Sequence, residues 1–173
     1  MSKTRKMTRI AMIAGLYAAI TFAAFFMSFG VIQYRLSEML TILPAFTPLA
    51  IPGLSLGCAL ANLVGFFIGI NPAGWIDAIF GTLATLIAAC LTWQIGKCSK
   101  KWVRYVFAPL PPVLINALIV GLEITFMMGP FNWSIFAVNA VTVGIGQAVV
   151  CYVLGIPLML ALERRDLHKK LFS

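Results

Sequence analysis

Four charged side chains interrupt otherwise apolar stretches of this chain: Arg35, Glu38, Asp77 and Glu123. Where an apolar stretch crosses a bilayer, a charged group costs about 2.5 to 3.5 kcal/mol on insertion scales, so such a residue marks a candidate functional site. Carboxylate and guanidinium groups form charge-assisted hydrogen bonds, which suit the capture of a polar ligand. Arg35 and Glu38 also lie three residues apart and therefore share one face of a helix. We predict that these four residues contact a ligand.

The sequence contains no recognisable catalytic motif. Its single histidine, His168, lies in a basic tail, and neither a nucleotide-binding glycine loop nor a G-x-S-x-G motif occurs. The four cysteines form no C-x-x-C pair and behave as small apolar residues, without a disulfide or a metal. The residues therefore predict ligand binding without catalysis, a metal or a cofactor.

The composition places these residues in a membrane. Of 173 residues, 61% are hydrophobic and 10% are charged, which is too apolar for a water-soluble domain. The net charge of +8 comes largely from three basic clusters, within 3–9, 97–104 and 164–170. Such clusters are typical of the cytoplasmic flanks of membrane helices. We predict one transmembrane substrate-binding domain over residues 1–173, in contact with membrane lipid and not with nucleic acid.

The positions of the basic clusters predict the number of membrane crossings. Because the first two clusters should lie on the same side, an even number of helices must separate them. A short second helix, interrupted by prolines, is needed to reach that number. The prediction is an all-α integral membrane protein with six transmembrane helices and both termini in the cytoplasm. These helices lie at about 8–29, 36–46, 49–69, 74–96, 111–128 and 133–162.

In this topology the polar residues concentrate in the outer half of the membrane. Asn62, Asn139 and Tyr34 lie near the level of the four charged residues. This distribution predicts a polar cavity that is open to the outside, because a channel would need a polar lining along its whole length. The three residues are therefore added to the predicted ligand-binding set.

Simpler interpretations remain for some of the charged residues. Arg35 and Glu38 could pair with each other and close the outer end of their helix. Asp77 could stabilise the dipole of the helix that it begins. Glu123 lies late in its helix, where the dipole disfavours an anion, so it ranks first among the predicted ligand contacts.

Small residues recur every four positions in the first helix, at Ala11, Gly15, Ala19 and Ala23. Such a stripe allows another helix to approach closely in lipid. That helix could belong to this chain or to a partner subunit.

Four blocks, in order along the chain, resemble one family of membrane proteins. They are YRLSEMLTILPAFTPLAIPG at 34–53, WIDAIFGTLATLIAA at 75–89, APLPPVLINALIVGLE at 108–123 and VGIGQAVVCYVLGIPL at 143–158. Together they resemble the QueT family of substrate-binding S components of energy-coupling factor (ECF) transporters. The resemblance covers nearly the whole chain.

The resemblance implies a six-helix bundle in the bacterial cell membrane that captures a micronutrient outside the cell. It also implies a shared module of one T component and two ATPases, with the small-residue stripe of the first helix docking on the T component. ATP hydrolysis by the partners would then deliver the ligand inward.

Family membership suggests a queuosine precursor, a 7-deazaguanine base, as the ligand. A carboxylate such as Glu123 or Glu38 could accept two hydrogen bonds from a guanine-type edge. Asp77 could pair with an exocyclic aminomethyl cation. A larger vitamin such as cobalamin is the alternative ligand, and a membrane-embedded enzyme or a structural subunit without a ligand is the alternative class of protein.

Overall fold

The computed structural model describes residues 2–28, 34–71 and 74–164, and these residues form helices and turns without a strand. The helices are α1 (Lys3–Ala23), α2 (Phe25–Ser28), a 3-10 helix (Leu36–Ala45), α3 (Ala50–Phe67), α4 (Gly74–Gly96), α5 (Lys101–Phe107), α6 (Leu110–Met128), α7 (Trp133–Ala148), a π-helical segment (Val149–Gly155) and α8 (Ile156–Arg164). The all-α prediction is confirmed for these residues.

Four helical stretches are long and apolar enough to cross a membrane: Ala50–Phe67, Gly74–Gly96, Lys101–Met128 and Trp133–Arg164. The third joins α5 to α6, and the fourth joins α7, the π-helical segment and α8. The 3-10 helix is apolar but shorter. The number of six crossings and the cytoplasmic position of both termini therefore stay predictions.

The first helix differs from its prediction at both ends. It begins at Lys3 rather than near residue 8, because the Ser2 side chain accepts a hydrogen bond from the Arg5 backbone N–H and caps the helix. It ends at Ala23, and Phe25–Ser28 forms a separate short helix where one continuous helix to residue 29 was predicted. Apolar periodicity locates a span better than its ends, because the caps are polar and lie outside the pattern.

The 3-10 helix occupies the middle of the bundle and contacts α1, α3, α4, α8 and the π-helical segment. Seven of its ten residues are buried. A 3-10 helix rises about 2.0 Å per residue against 1.5 Å for an α-helix, so ten residues extend about 20 Å rather than about 15 Å. The predicted short, proline-containing helix is confirmed. Its length of about 20 Å is about two-thirds of the thickness of a hydrocarbon core of about 30 Å.

Glycines allow the neighbouring helices to come close. A Cβ on Gly57 of α3 would lie 2.8 Å from both the Ala14 carbonyl oxygen and the Tyr17 Cβ of α1. A Cβ on Gly96 of α4 would lie 2.5 Å from the Ala45 Cα at the end of the 3-10 helix. Small residues at such crossings are typical of helix packing in lipid. The α1–α3 contact positions Tyr17 against the 3-10 helix.

Candidate functional site

A buried ion pair joins the start of the 3-10 helix to α4. The Arg35 Nη2 lies 3.1 Å from the Asp77 Oδ2. The Asn71 side-chain amide donates to the same oxygen at 3.0 Å. Arg35 and Asp77 are 5% and 1% exposed, so this carboxylate is held by charge and hydrogen bonding away from solvent.

The sequence allowed an ion pair between Arg35 and Glu38, but in the structure Arg35 pairs with Asp77. Arg35 reaches across to α4, whereas the Glu38 carboxylate is bonded to other helices, as described below. Asp77 lies in the first turn of α4, as expected for an acid that stabilises a helix dipole. The two roles of Asp77 are compatible, because the dipole and the guanidinium both favour the carboxylate.

Asn62 holds the backbone beside the same ion pair. Its side-chain amide donates to the Asp77 carbonyl oxygen at 3.0 Å and lies 3.5 Å from the Cys58 sulfur. A Cβ on Gly81 would lie 2.6 Å from the Asp77 Oδ1, so only glycine leaves room for this carboxylate. The structure brings two of the predicted residues, Asn62 and Asp77, into contact. Cys58 and Gly81, which lie beside them, were not part of the prediction.

Glu38 lies in a second buried cluster, which links the 3-10 helix to α1 and α6. The Tyr17 hydroxyl donates to its Oε1 in a short hydrogen bond, and the Asn116 side-chain amide lies 3.5 Å from its Oε2. All three side chains are buried. Tyr17 was missed in the sequence, although it lies on the buried face of α1 with Ile13 and Thr21, at intervals of four residues.

Glu123 lies on the same face of α6 as Asn116, about two helical turns further along. Its side chain is 5% exposed. Among the described residues, neither carboxylate oxygen has a hydrogen-bond partner. The carboxylate lines a groove of about 530 Å³ between α4 and α6, whose other lining residues are apolar: Ile76, Phe80, Leu83, Leu118, Ile119, Leu122, Phe126, Met127 and Phe136.

Among the residues that the structure describes, the side chains of Asn139 and Tyr34 form no hydrogen bond with these acids. The Asn139 amide donates to the Thr125 hydroxyl at 3.0 Å and so joins α7 to α6. Tyr34 is half-buried, and its backbone N–H donates to the Met27 carbonyl oxygen at 3.0 Å. The predicted polar residues therefore fall into a close-packed cluster around Arg35, Asp77 and Glu38, a separate Glu123, and two peripheral positions.

The small-residue stripe of α1 faces away from the rest of the chain. Ala11, Gly15, Ala19 and Ala23 are exposed. A Cβ on Gly15 would meet no atom within 4 Å in the described structure. A groove of about 590 Å³ runs beside the stripe, lined by Gly15, Ala19, residues of the 3-10 helix and residues of α8. Within the described part of the chain, α1 therefore packs through its opposite face and not through the stripe.

The long apolar helices and the buried ion pair define a multi-pass membrane protein. No group of three histidine, cysteine, aspartate or glutamate residues that could hold a metal occurs in the described part of the chain. The sequence model described as QueT transporter matches residues 7–164. The chain therefore belongs to the QueT transporter family.

One curated relative supports this membership. The protein named "Queuosine precursor transporter QueT" from Lactococcus lactis subsp. cremoris (strain MG1363) is 35% identical over 88 residues. The aligned stretch covers 50% of this chain and 48% of the relative, so about half of each protein is compared. No solved structure matches this chain.

Proposed function

We propose that this chain is the S component of an ECF importer and captures a queuosine precursor, a 7-deazaguanine, from outside the cell. The observation that carries the proposal is the match to the QueT transporter family over residues 7–164. The name of the Lactococcus relative supports the class of substrate. ATP would be hydrolysed by partner subunits, because the sequence contains no nucleotide-binding glycine loop.

The proposed ligand-binding region surrounds the two clusters where the 3-10 helix meets α1, α4 and α6. Arg35, Asp77 and Glu38 supply charge there. Such groups are costly in lipid and are justified by a role in the pathway of a polar ligand. Glu123, Asn62, Asn139 and Tyr34 complete the proposed set.

Uptake tests this function directly. A strain without its own transport system would produce this chain together with a T component and two ATPases, and would receive labelled 7-deazaguanine or labelled cobalamin. We expect accumulation of the 7-deazaguanine that depends on this chain. Accumulation of cobalamin alone would replace the proposed substrate with the larger vitamin, and accumulation of neither would contradict the proposed importer.

The stripe on α1 is the proposed docking surface for the T component. Its four small residues are exposed on an apolar helix, and a helix of a partner could approach them closely. We predict that Ala19→Leu abolishes co-purification of the T component and the two ATPases, because the larger side chain keeps the helices apart.

Ala137→Leu is the matched control for this experiment. It makes the same change at an exposed alanine of α7. We expect the Ala137→Leu variant to retain its partners. If both variants retain their partners equally well, the docking surface lies elsewhere. If the unmodified chain itself is recovered without any T component or ATPase, the alternatives of an enzyme or a structural subunit are favoured.

A further inference from the structure

The short helix α5 presents an apolar face that no other part of the described chain covers. None of its seven residues is buried, and Trp102 is 61% exposed. Val106 is also exposed. Trp102 and Val106 lie four positions apart and therefore share one face of the helix. An exposed apolar face of this kind marks a contact with a protein or with a membrane.

The length of α6 places α5 at the edge of the membrane. The two helices form one apolar stretch of 28 residues, Lys101–Met128. The 19 residues of α6 alone extend about 28 Å at 1.5 Å per residue, which is close to the thickness of the hydrocarbon core, about 30 Å. α5 therefore lies at the level of the lipid head groups.

Three lysines bring positive charge to the same place. Lys97, Lys100 and Lys101 are exposed and lie where α4 ends and α5 begins. Neither ion pair of the described residues includes any of them. The Lys97 Nζ lies 3.5 Å from the centre of the Trp93 ring, so its neighbour is an aromatic ring and not an acid. Within the described part of the chain, the positive charge of this surface is therefore not compensated.

Contacts from α8 and the π-helical segment hold α5 in position. Arg104 pairs with Glu163 of α8, and the Tyr105 hydroxyl donates to the same carboxylate at 2.6 Å. The Tyr152 hydroxyl of the π-helical segment donates to the Val106 carbonyl oxygen at 2.8 Å. Because Glu163 is neutralised by Arg104, it does not compensate the three lysines.

We infer that Lys97, Lys100, Lys101, Trp102 and Val106 form a surface that binds an anionic phospholipid. The ammonium groups attract the charged head group, and the apolar face of α5 contacts the upper part of the acyl chains. Tryptophan suits this depth, because its ring is apolar and its indole N–H is a hydrogen-bond donor.

The observations favour a lipid over an acidic protein as the partner. An acidic protein surface would complement the lysines, but the apolar face lies beside them at the level of the head groups. A phospholipid matches both, because its charge and its acyl chains are joined in one molecule. The inference concerns a site apart from that of the transported ligand and does not depend on which ligand is carried.

Native mass spectrometry of the purified full chain in detergent tests the preference for charge. The protein would be titrated with phosphatidylglycerol, which is anionic, or with phosphatidylcholine, which has no net charge. We expect phosphatidylglycerol to bind about 100-fold more tightly, because each lysine near an anionic head group contributes about fivefold. The triple variant Lys97→Gln, Lys100→Gln and Lys101→Gln should lose nearly all of this preference.

The matched control removes the same charge from another exposed basic cluster. Lys3→Gln, Arg5→Gln and Lys6→Gln change three exposed residues in the first turn of α1. We expect this second triple variant to keep most of the preference for phosphatidylglycerol. An equal loss in both triple variants would show that the lipid responds to net charge and not to the surface at α5.

A pair of tryptophan variants tests the apolar part of the surface. Trp102→Ala should weaken phosphatidylglycerol binding by about 10-fold, because it removes apolar contact with the lipid. Trp133→Ala is the matched control, since Trp133 is 75% exposed at the start of α7. It should leave phosphatidylglycerol binding unchanged, and both variants should unfold near the temperature of the unmodified protein.

Three results would overturn the lipid site. The first is equal binding of the two phospholipids by the unmodified protein, and the second is an unchanged preference in the lysine variant at α5. The third is a lysine variant that keeps its lipid but no longer co-purifies with the T component and the ATPases, because the surface would then bind a protein. The proposed transport function stands in the first two cases, since uptake of the ligand tests it separately.

Discussion

The acids buried beside α4 present opposite solutions to holding a charge inside an apolar bundle. On the side of the 3-10 helix, Asp77 binds Arg35 and Asn71, and Glu38 binds Tyr17 nearby. On the side of α6, Glu123 lies in an apolar groove and receives no hydrogen bond from the described residues. The three acids are similarly buried, so burial alone does not distinguish their roles.

The difference teaches which acids the fold itself requires. A buried charge with its partners in place is tolerated, whereas removal of one partner leaves the other uncompensated. Mutations of Arg35, Asp77 or Glu38 should therefore lower the free energy of unfolding even when no ligand is present. A mutation of Glu123 should change ligand binding with little effect on stability.

The largest expected effect comes from Arg35→Ala, which leaves the Asp77 carboxylate buried without its ion pair. We expect the free energy of unfolding in detergent to fall by about 3 to 5 kcal/mol, measured by denaturant titration. The double variant Arg35→Met with Asp77→Leu should lose less than Arg35→Ala, because no uncompensated charge remains. If Arg35→Ala is as stable as the unmodified chain, the ion pair has no structural role.

A smaller loss is expected for Tyr17→Phe, which removes one donor to the Glu38 carboxylate and preserves the ring. The predicted loss is about 1.5 to 3 kcal/mol, the usual range for a hydrogen bond to a charged group. The measurement is the same denaturant titration. A loss below about 0.5 kcal/mol would show that the Glu38 cluster does not hold α1 to the 3-10 helix.

Alanine substitutions at two glycines test which face of α1 packs against the other helices. Gly57 lies on α3 where it meets α1, and Gly15 lies on the exposed face of α1. Gly57→Ala places a methyl group 2.8 Å from the Ala14 carbonyl oxygen, so we expect a loss of about 1 to 3 kcal/mol. Gly15→Ala points into open space and should cost nothing or stabilise α1 slightly, because alanine favours helix. Thermal unfolding of both variants checks the pair. Equal losses would mean that α1 packs in another orientation.

The smallest expected change in stability is that of Glu123→Gln without ligand. A neutral amide of similar size is less costly to bury than a carboxylate without donors, so stability should stay the same or rise by up to about 1 kcal/mol. A loss of 3 kcal/mol or more in a titration would show that Glu123 has a structural partner, and would remove the contrast with Asp77.

Much of the fold could be predicted from the sequence because lipid imposes strong constraints on it. The predicted spans at 36–46, 49–69, 74–96 and 111–128 lie within three residues of the observed helices at each end. The 3-10 geometry of the second helix and the π-helical segment were not predicted, because apolar composition does not separate one helix type from another.

The site was predicted less completely, for a different reason. Charges stand out in an apolar sequence, so Arg35, Glu38, Asp77 and Glu123 were predicted as ligand contacts, and the structure buries all four. Their pairing depends on which helices are neighbours, and a three-residue spacing suggested Glu38 as the partner of Arg35 where the structure has Asp77. Tyr17 was not predicted as part of the site, because an uncharged aromatic residue is common in a membrane helix.

The central claim, that the paired acids hold the fold together in addition to any ligand contact whereas Glu123 serves the ligand and not the fold, is tested most directly by ligand-induced stabilisation. Unfolding of the unmodified chain and of Glu123→Gln would be measured with and without 7-deazaguanine at about 100 times the dissociation constant of the unmodified protein. The account predicts a gain of about 2.7 kcal/mol for the unmodified chain and a much smaller gain for Glu123→Gln. An equal gain for both proteins would contradict it.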